Sequence, residues 1–265
     1  QKVAQVAASR VGLPRDQVKI TATDTSTVPN TSATAASSGS DLNGMAVKAA
    51  CDTIRDRLAV FVAERAQADP KTVRFEEGHV HGGGESFSFE AVVKDAYMAR
   101  ISLSSPGFYK TPKLEWDRLK GQGRPFFYFA YGVAATEVVI DTLTGESRIL
   151  RADVLHDCGA SLNPALDIGQ IEGGYVRPRT QAPSTYKIPA CSDRPDVFNV
   201  DLWEGENRED TIYRSKAVGE PPLLLGISAL MALSDAISST GAAYPNLDAP
   251  ATPERVLMAL QRVAL

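Results

Sequence analysis

The spacing of apolar residues along the chain predicts six helices. Apolar positions recur at helical spacing in a short N-terminal segment and in a much longer one, which Asp41 or Asn43 could cap. A proline opens the last predicted helix, with Thr252 in the capping position before it. The predicted helices cover residues 1–11, 42–67, 89–99, 164–176, 221–240 and 248–265.

Alternating residues predict strands between these helices. Residues 18–25 alternate in the manner of a strand, and residues 72–89 have the pattern of a hairpin. The strongest signal lies at 125–159, where two long β-rich runs flank the turn DTLTGE at 141–146. We therefore expect an α+β fold of interleaved helices and mixed sheets over residues 1–265, in one compact unit or as two α+β subdomains.

Composition narrows the class of protein. The 265 residues are 43% hydrophobic and 23% charged with a net charge of −4, which is typical of a globular protein and argues against nucleic-acid binding. No apolar run approaches the roughly 20 residues that span a bilayer, so we expect no membrane contact. The first residues lack a secretion signal and have the pattern of a helix already in progress, so we expect the polypeptide to start elsewhere.

The cysteines and histidines do not have the spacing of a metal site. Cys51, Cys158 and Cys191 are far apart and odd in number, which favours a reduced, cytoplasmic setting over a disulfide framework. His79 and His81 lie at i and i+2 without further ligands. We interpret their stretch, GHVHGGG, as a strand that runs into a glycine-rich turn.

Three stretches could bind a ligand, and each also has an ordinary structural interpretation. TSATAASSGSD at 31–41 places small residues before a helix N-terminus, where backbone N–H groups can approach an anion; a capped polar loop has the same composition. Gln170 lies in an apolar, glycine-rich setting, where its amide could bind a ligand edge or simply face solvent. Lys187 in APSTYKIP at 182–189 is an anion contact or, more simply, a solvated lysine.

One acid has an unusual sequence environment. In SKAVGEPPLLLG at 215–226, Glu220 stands between a glycine and two prolines, and leucines follow. The prolines remove two N–H donors. A carboxylate with few donors and apolar neighbours is a stronger base than a solvated one, as general-base catalysis requires. From the residues alone, a structural acid paired with Lys216 or Arg214 is the alternative.

Five motifs occur together in a specific order: TSTVPNTSATAAS, GFYKTP, LHDCGASLNPALDIGQIEG, PSTYKIPA and SKAVGEPPLLLG. In order and spacing the chain resembles the C-terminal half of the molybdenum-binding subunit of the xanthine dehydrogenase/oxidase family, in its bacterial form. The resemblance covers essentially the whole chain. It implies the C-terminal part of the molybdopterin-binding domain of molybdenum hydroxylases, and oxidation of hypoxanthine and xanthine to urate with water as the oxygen source.

The resemblance also implies roles for individual residues. Glu220 is the catalytic base, and Gln170 hydrogen-bonds the molybdopterin of the molybdenum cofactor. The loop that lines the metal and the cofactor's phosphate end consists of Ala35, Ala36, Ser37 and Ser38. Electrons pass to 2Fe-2S clusters, then FAD, then NAD in other parts of the complex. The implied partners are the N-terminal half of the molybdenum subunit, an iron–sulfur/FAD subunit and a purine, within a hetero-oligomer.

Two departures from the family pattern qualify these expectations. The N-terminal half, which carries the purine-positioning side chains, is not in this sequence, so we expect the 265 residues alone to be inactive. Val176 is followed directly by Arg177, where relatives continue through a Gln-Gly-rich helical stretch and a strand. Either this segment is deleted from the protein, or the protein contains it as a disordered segment that the sequence omits, and we favour the second. An aldehyde oxidoreductase-type molybdenum hydroxylase and a non-catalytic assembly module are the alternatives.

Overall fold

The computed structural model describes residues 1–21, 24, 34, 37–176 and 194–264, which form two compact units. The first unit contains Gln1–Phe127 and Asp210–Tyr213, and the second contains Tyr128–Glu209 and Arg214–Leu265. Each unit combines helices with open sheets, which confirms the predicted α+β class.

The first unit is built around one long helix. Its elements are α1 (Lys2–Val11), a π-helical turn (Gly39–Asn43), α2 (Gly44–Ala66), β1 (Arg74–Glu76), β2 (His79–Gly82), β3 (Glu85–Ser88), α3 (Phe89–Met98), β4 (Glu115–Asp117) and β5 (Gln122–Arg124). β1, β2 and β3 pair antiparallel in that order, and β4 and β5 form a separate ribbon. Apolar side chains of α2, the three-stranded sheet and α3 form the core, with Leu58, Val80 and Val92 fully buried.

The second unit places helices beside a mixed sheet. Its elements are β6 (Gly132–Ile140), β7 (Ser147–His156), α4 (Pro164–Val176), β8 (Val197–Leu202), a 3₁₀ turn (Pro221–Gly226), α5 (Ile227–Ser238) and α6 (Pro253–Ala264). β6 pairs antiparallel with β7, and β7 pairs parallel with β8. Ile171 and Tyr175 of α4 pack on Ala152 and Val154 of β7, while a second cluster joins α5 to α6. Thr252 caps α6 as predicted, accepting a hydrogen bond from a backbone N–H.

Three predicted elements differ in the structure. Residues 18–21 and 24, the described part of the predicted first strand, lie outside any strand, because alternation alone does not supply a pairing partner. The predicted hairpin at 72–89 is a three-stranded meander, because the glycine-rich turn leads into a further strand.

The apolar stretch 221–240 is the third difference. The sequence predicts one buried helix here, whereas the structure has the 3₁₀ turn followed directly by α5. Four of its side chains form an exposed apolar stripe: Leu223 (46% exposed), Leu224 (70%), Ile227 (50%) and Met231 (57%). By length and composition alone Pro221–Ser238 would suffice to cross a membrane, a test that the core helix of a soluble protein also passes. Its other side packs on α4, β6 and α6.

Candidate functional site

The outer face of α4 carries an amide between two glycines. Residues three and four apart share one face of a helix, and four exposed positions of α4 have this spacing: Leu166, Gly169, Gln170 and Gly173. A Cβ added at Gly169 or Gly173 would meet no atom within 4 Å, so the face is open at both glycines. Gln170 supplies the polar side chain of this outer face of α4. A flat ligand can approach the face closely, because glycines lie on both sides of Gln170.

The opposite face of α4 anchors the helix in the second unit. Asp167 and Tyr175 are buried. Asp167 accepts a hydrogen bond from Ser161 Oγ at 2.6 Å, and Tyr175 Oη lies 2.7 Å from Thr136 Oγ1 of β6. Gln170 is therefore presented by a helix that polar contacts hold near both of its ends.

α4 meets the 3₁₀ turn at very short range. A Cβ added at Gly174 would lie 2.9 Å from the Cβ of Pro222, closer than two carbon atoms normally approach. Only glycine permits this packing, and it buries Pro222. Gln170 lies about one helical turn before Gly174, and Glu220 lies just before the two prolines. The structure therefore brings these two predicted site residues onto elements in direct contact.

Glu220 is exposed, which corrects the expectation of an apolar, donor-poor environment. A 3₁₀ helix has three residues per turn, so residues three apart share a face. Pro222 and Leu225 accordingly face inward, while Leu223 and Leu224 are exposed. The Glu220 backbone is nevertheless fixed, because its carbonyl accepts a hydrogen bond from Leu223 N–H at 3.0 Å.

The two cations that could pair with Glu220 have other partners. Lys216 Nζ lies 2.5 Å from Asp157 Oδ2. The Arg214 guanidinium donates to the carbonyl oxygen of Arg208 at 3.1 Å. Both cations named in the structural alternative are thus engaged by other acceptors.

The serine-rich loop belongs to the first unit. Ser37 has φ 57°, in the left-handed region, and Ser38 directly precedes the π-helical turn that leads into α2. The Ser38 carbonyl accepts a hydrogen bond from Leu42 N–H at 2.9 Å. Ala35 and Ala36, and Lys187 of the third candidate stretch, lie outside the described residues. The loop is thus located at a helix N-terminus as predicted, in a different unit from Gln170 and Glu220.

Sequence reasoning missed a buried polar cluster in the second unit. His156, at the end of β7, is 1% exposed, and neither ring nitrogen has a hydrogen-bond partner among the described residues. Burial lowers the pKa of the His156 imidazole below its ordinary value, although the charges of Asp157 and Asp167 oppose this shift. The signal in the sequence is the polar pair His156 and Asp157, which ends the second of the two long β-rich runs.

The fold is that of the molybdenum-binding region of molybdenum hydroxylases. Quinoline 2-oxidoreductase from Pseudomonas putida 86 is 24% identical, with a TM-score of 0.79. The match covers 99% of this chain and 35% of the oxidoreductase chain. The Cu,Mo-CO dehydrogenase is 19% identical, with a TM-score of 0.80. The match covers 100% of this chain and 34% of the dehydrogenase chain. The aldehyde oxidoreductase from Desulfovibrio gigas is 22% identical, with a TM-score of 0.73. The match covers 98% of this chain and 27% of the oxidoreductase chain.

Sequence comparison assigns the family. Residues 1–178 match the molybdopterin cofactor-binding domain model. Xanthine dehydrogenase/oxidase from Mus musculus is 42% identical over 280 residues, which cover 96% of this chain and 20% of the relative. Xanthine dehydrogenase from Oryza sativa subsp. japonica is 42% identical over 288 residues, which cover 97% and 20%. The chain belongs to the molybdopterin cofactor-binding domain family, in its xanthine dehydrogenase branch, and spans about a fifth of the length of these relatives.

The residues of the second unit fit a molybdopterin group. The open face of α4 leaves room for a flat pterin at Gly169 and Gly173, and the Gln170 amide offers both a donor and an acceptor. Among the described residues, no three His, Cys, Asp or Glu side chains gather where they could hold a metal ion.

Proposed function

We propose that this chain is the C-terminal part of the molybdenum-binding region of an enzyme that oxidises hypoxanthine and xanthine to urate. The observation that carries the proposal is the close packing of α4 on the 3₁₀ turn at Gly174 and Pro222, which joins the elements of Gln170 and Glu220. The similarity to xanthine dehydrogenases over 96% of the chain supports the purine as substrate.

Glu220 is the general base in this proposal. When bound, the molybdenum–molybdopterin group supplies the redox chemistry, with water as the oxygen source. A carboxylate oxygen of Glu220 accepts the proton of the attacking hydroxyl. A general base of this kind typically accelerates a reaction by about 10²–10⁴-fold. The two prolines fix the backbone that carries the carboxylate, and orientation of this kind lowers the barrier further.

Gln170 and the serine-rich loop bind the cofactor in this proposal. The Gln170 amide hydrogen-bonds the pterin across the open face of α4. Backbone N–H groups at Ser37 and Ser38, with Ala35 and Ala36 before them, bind the phosphate end, since a helix N-terminus favours an anion.

The partners follow from the length of the chain and from its exposed apolar surface. The chain spans about a fifth of its relatives, and the apolar stripe of the 3₁₀ turn and α5 is exposed. Apolar patches of this kind usually mark an interface. We propose that the N-terminal half of the molybdenum subunit covers the stripe, within a cytoplasmic hetero-oligomer whose other parts carry 2Fe-2S clusters, FAD and the NAD site. The isolated chain is then inactive.

We also propose that the protein contains a further segment between Val176 and Arg177, which the 265-residue sequence omits. The alignment with the mouse relative runs over 280 positions, which is more than the 265 residues of this chain. The relative therefore has residues that this sequence lacks, and this supports the proposal. Trypsin does not cleave before Pro178, so a continuous chain yields the peptide 152–179. Mass spectrometry of the purified protein should not detect that peptide, and its detection would establish a true deletion.

The substrate is tested on the assembled enzyme that contains this chain. Xanthine, hypoxanthine and an aromatic aldehyde are offered in parallel, and the molybdenum content of each preparation is measured. We expect turnover of both purines in proportion to molybdenum. Turnover of the aldehyde alone would identify an aldehyde oxidoreductase-type enzyme, and no turnover at full molybdenum content would favour an assembly module.

A further inference from the structure

Lys216, four residues before Glu220, is a buried cation with two acceptors. It is 7% exposed. Its Nζ donates to Asp157 Oδ2 at 2.5 Å and to the carbonyl oxygen of Phe129 at 2.9 Å, and it lies 5.4 Å from the ring centroid of Tyr131. Burying a charge is unfavourable unless it is paired. The Lys216 ammonium therefore stays bound to Asp157, after the end of β7, and to Phe129, before the start of β6.

Backbone contacts on both sides of Lys216 fix the same short stretch. The Lys216 N–H donates to the carbonyl of Cys158 at 2.7 Å, and Ser215 forms an isolated β-bridge with Gly159. The Ala217 N–H donates to Tyr128 Oη at 2.8 Å. Residues 215–217 are therefore attached to both segments that flank the start of β6 and the end of β7.

The chain is fixed again immediately after Glu220. Pro222 is buried against Gly174, and Val218 is buried in the core shared by α4 and β7. Only Gly219, Glu220 and Pro221 lie between these anchored positions. The backbone that carries the exposed Glu220 carboxylate is thus held from both directions.

We propose that Lys216 is a positioning residue for the Glu220 carboxylate, acting through its ion pair with Asp157. The proposal rests on the proposed function for the role of Glu220 as the base. Loss of the lysine charge leaves the Asp157 carboxylate, whose side chain is 19% exposed, without its cation. The stretch 215–220 then loses its fixed position, and misplacement of a catalytic group by about 1 Å can cost on the order of 10² in rate.

The test compares Lys216→Met, Asp157→Asn and the double variant in the assembled enzyme. Asp157→Asn removes the charge but keeps the hydrogen bond that Asp157 Oδ1 accepts from Gly159 N–H, at 2.9 Å. We expect each single variant to lower kcat by about tenfold or more with little change in KM. The double variant should be no worse than either, because both act through one pair.

A second readout does not depend on turnover. Hydrogen exchange of the amides between Val218 and Leu223 should become faster in both single variants, at unchanged molybdenum content. The control is Arg10→Met, which removes a partly buried ion pair with Asp52 in the first unit. It should alter neither kcat nor exchange in the 218–223 stretch.

The outcomes separate this inference from the proposed function. If Glu220→Gln abolishes turnover while the Lys216 and Asp157 variants keep kcat and exchange unchanged, Lys216 has no positioning role and the proposed function stands. If Glu220→Gln leaves turnover intact, both are wrong. Should Lys216→Met fail to assemble, Asp157→Asn decides by the same two readouts.

Discussion

Gly174 of α4 and Pro222 of the 3₁₀ turn pack so closely that a Cβ on the glycine would lie 2.9 Å from the Cβ of the proline. One more methyl group at this position forces the two elements apart. Because Gln170 and Glu220 lie on these two elements, this close contact contributes to their mutual arrangement.

A pair of glycine substitutions tests this contact. Gly174→Ala should destabilise the protein by about 1–3 kcal/mol, since overpacking shifts the backbone. Gly173→Ala is the matched control on the open face, where a Cβ meets no atom within 4 Å, and it should stabilise the helix by up to about 1 kcal/mol. Chemical denaturation measures both. Equal effects of the two substitutions would show that the short contact does not exist in solution.

Removal of the Gln170 side chain should weaken cofactor binding. Gln170→Ala leaves polar pterin groups without a partner, at a cost of roughly 1–3 kcal/mol. In the assembled enzyme we expect lower molybdenum occupancy and a proportional loss of turnover. Gln261→Ala, on the exposed side of α6, should change neither quantity. Full occupancy in the Gln170 variant would remove this residue from the site.

The buried histidine predicts a pH dependence of stability. The folded state lowers the pKa of His156 below the ordinary value of 6.5, so the unfolded chain binds a proton more readily. The stabilisation is complete above about pH 6.5 and is lost as the pH falls towards the folded-state pKa. The pKa of Asp153 is also lowered, by hydrogen bonds from Arg151 and Asn199, but its effect appears only below its ordinary value of 3.8.

Two variants separate the histidine from other groups. Unfolding free energies measured between pH 7 and 5 should decline in the wild type, and the decline should be smaller in His156→Met, which fills the site without a titrating group. His79→Gln changes an exposed histidine of the other unit and should keep the wild-type slope. A decline that persists in His156→Met would assign it to a different group.

Helices with strong periodicity and the long β runs could be predicted from the sequence, because these patterns are local. α2, α4, β6 and β7 lie where the pattern places them. The parallel partner of β7 could not be predicted, since β8 follows only after a whole helix. Nor could the Lys216–Asp157 pair, whose residues are 59 positions apart.

The candidate site residues come from sequence motifs and stay predictions, whereas their environment could not be predicted from the sequence. The motifs identify Gln170 and Glu220, and the structure places them on contacting elements. Glu220 precedes a 3₁₀ turn and is exposed, whereas the sequence pattern predicts a continuous buried helix from Pro221 onward.

The role of Glu220 as the base is tested most directly by Glu220→Gln in the assembled enzyme. The amide keeps the shape of the side chain but does not accept the proton, so xanthine turnover should fall by at least about 10²–10⁴-fold. Molybdenum, iron–sulfur and flavin contents should match the wild type. Glu204→Gln, which changes another exposed acid of the second unit, should retain full activity. Turnover of xanthine by Glu220→Gln within about tenfold of wild type at full cofactor loading would contradict the account, because loss of a general base costs more than that.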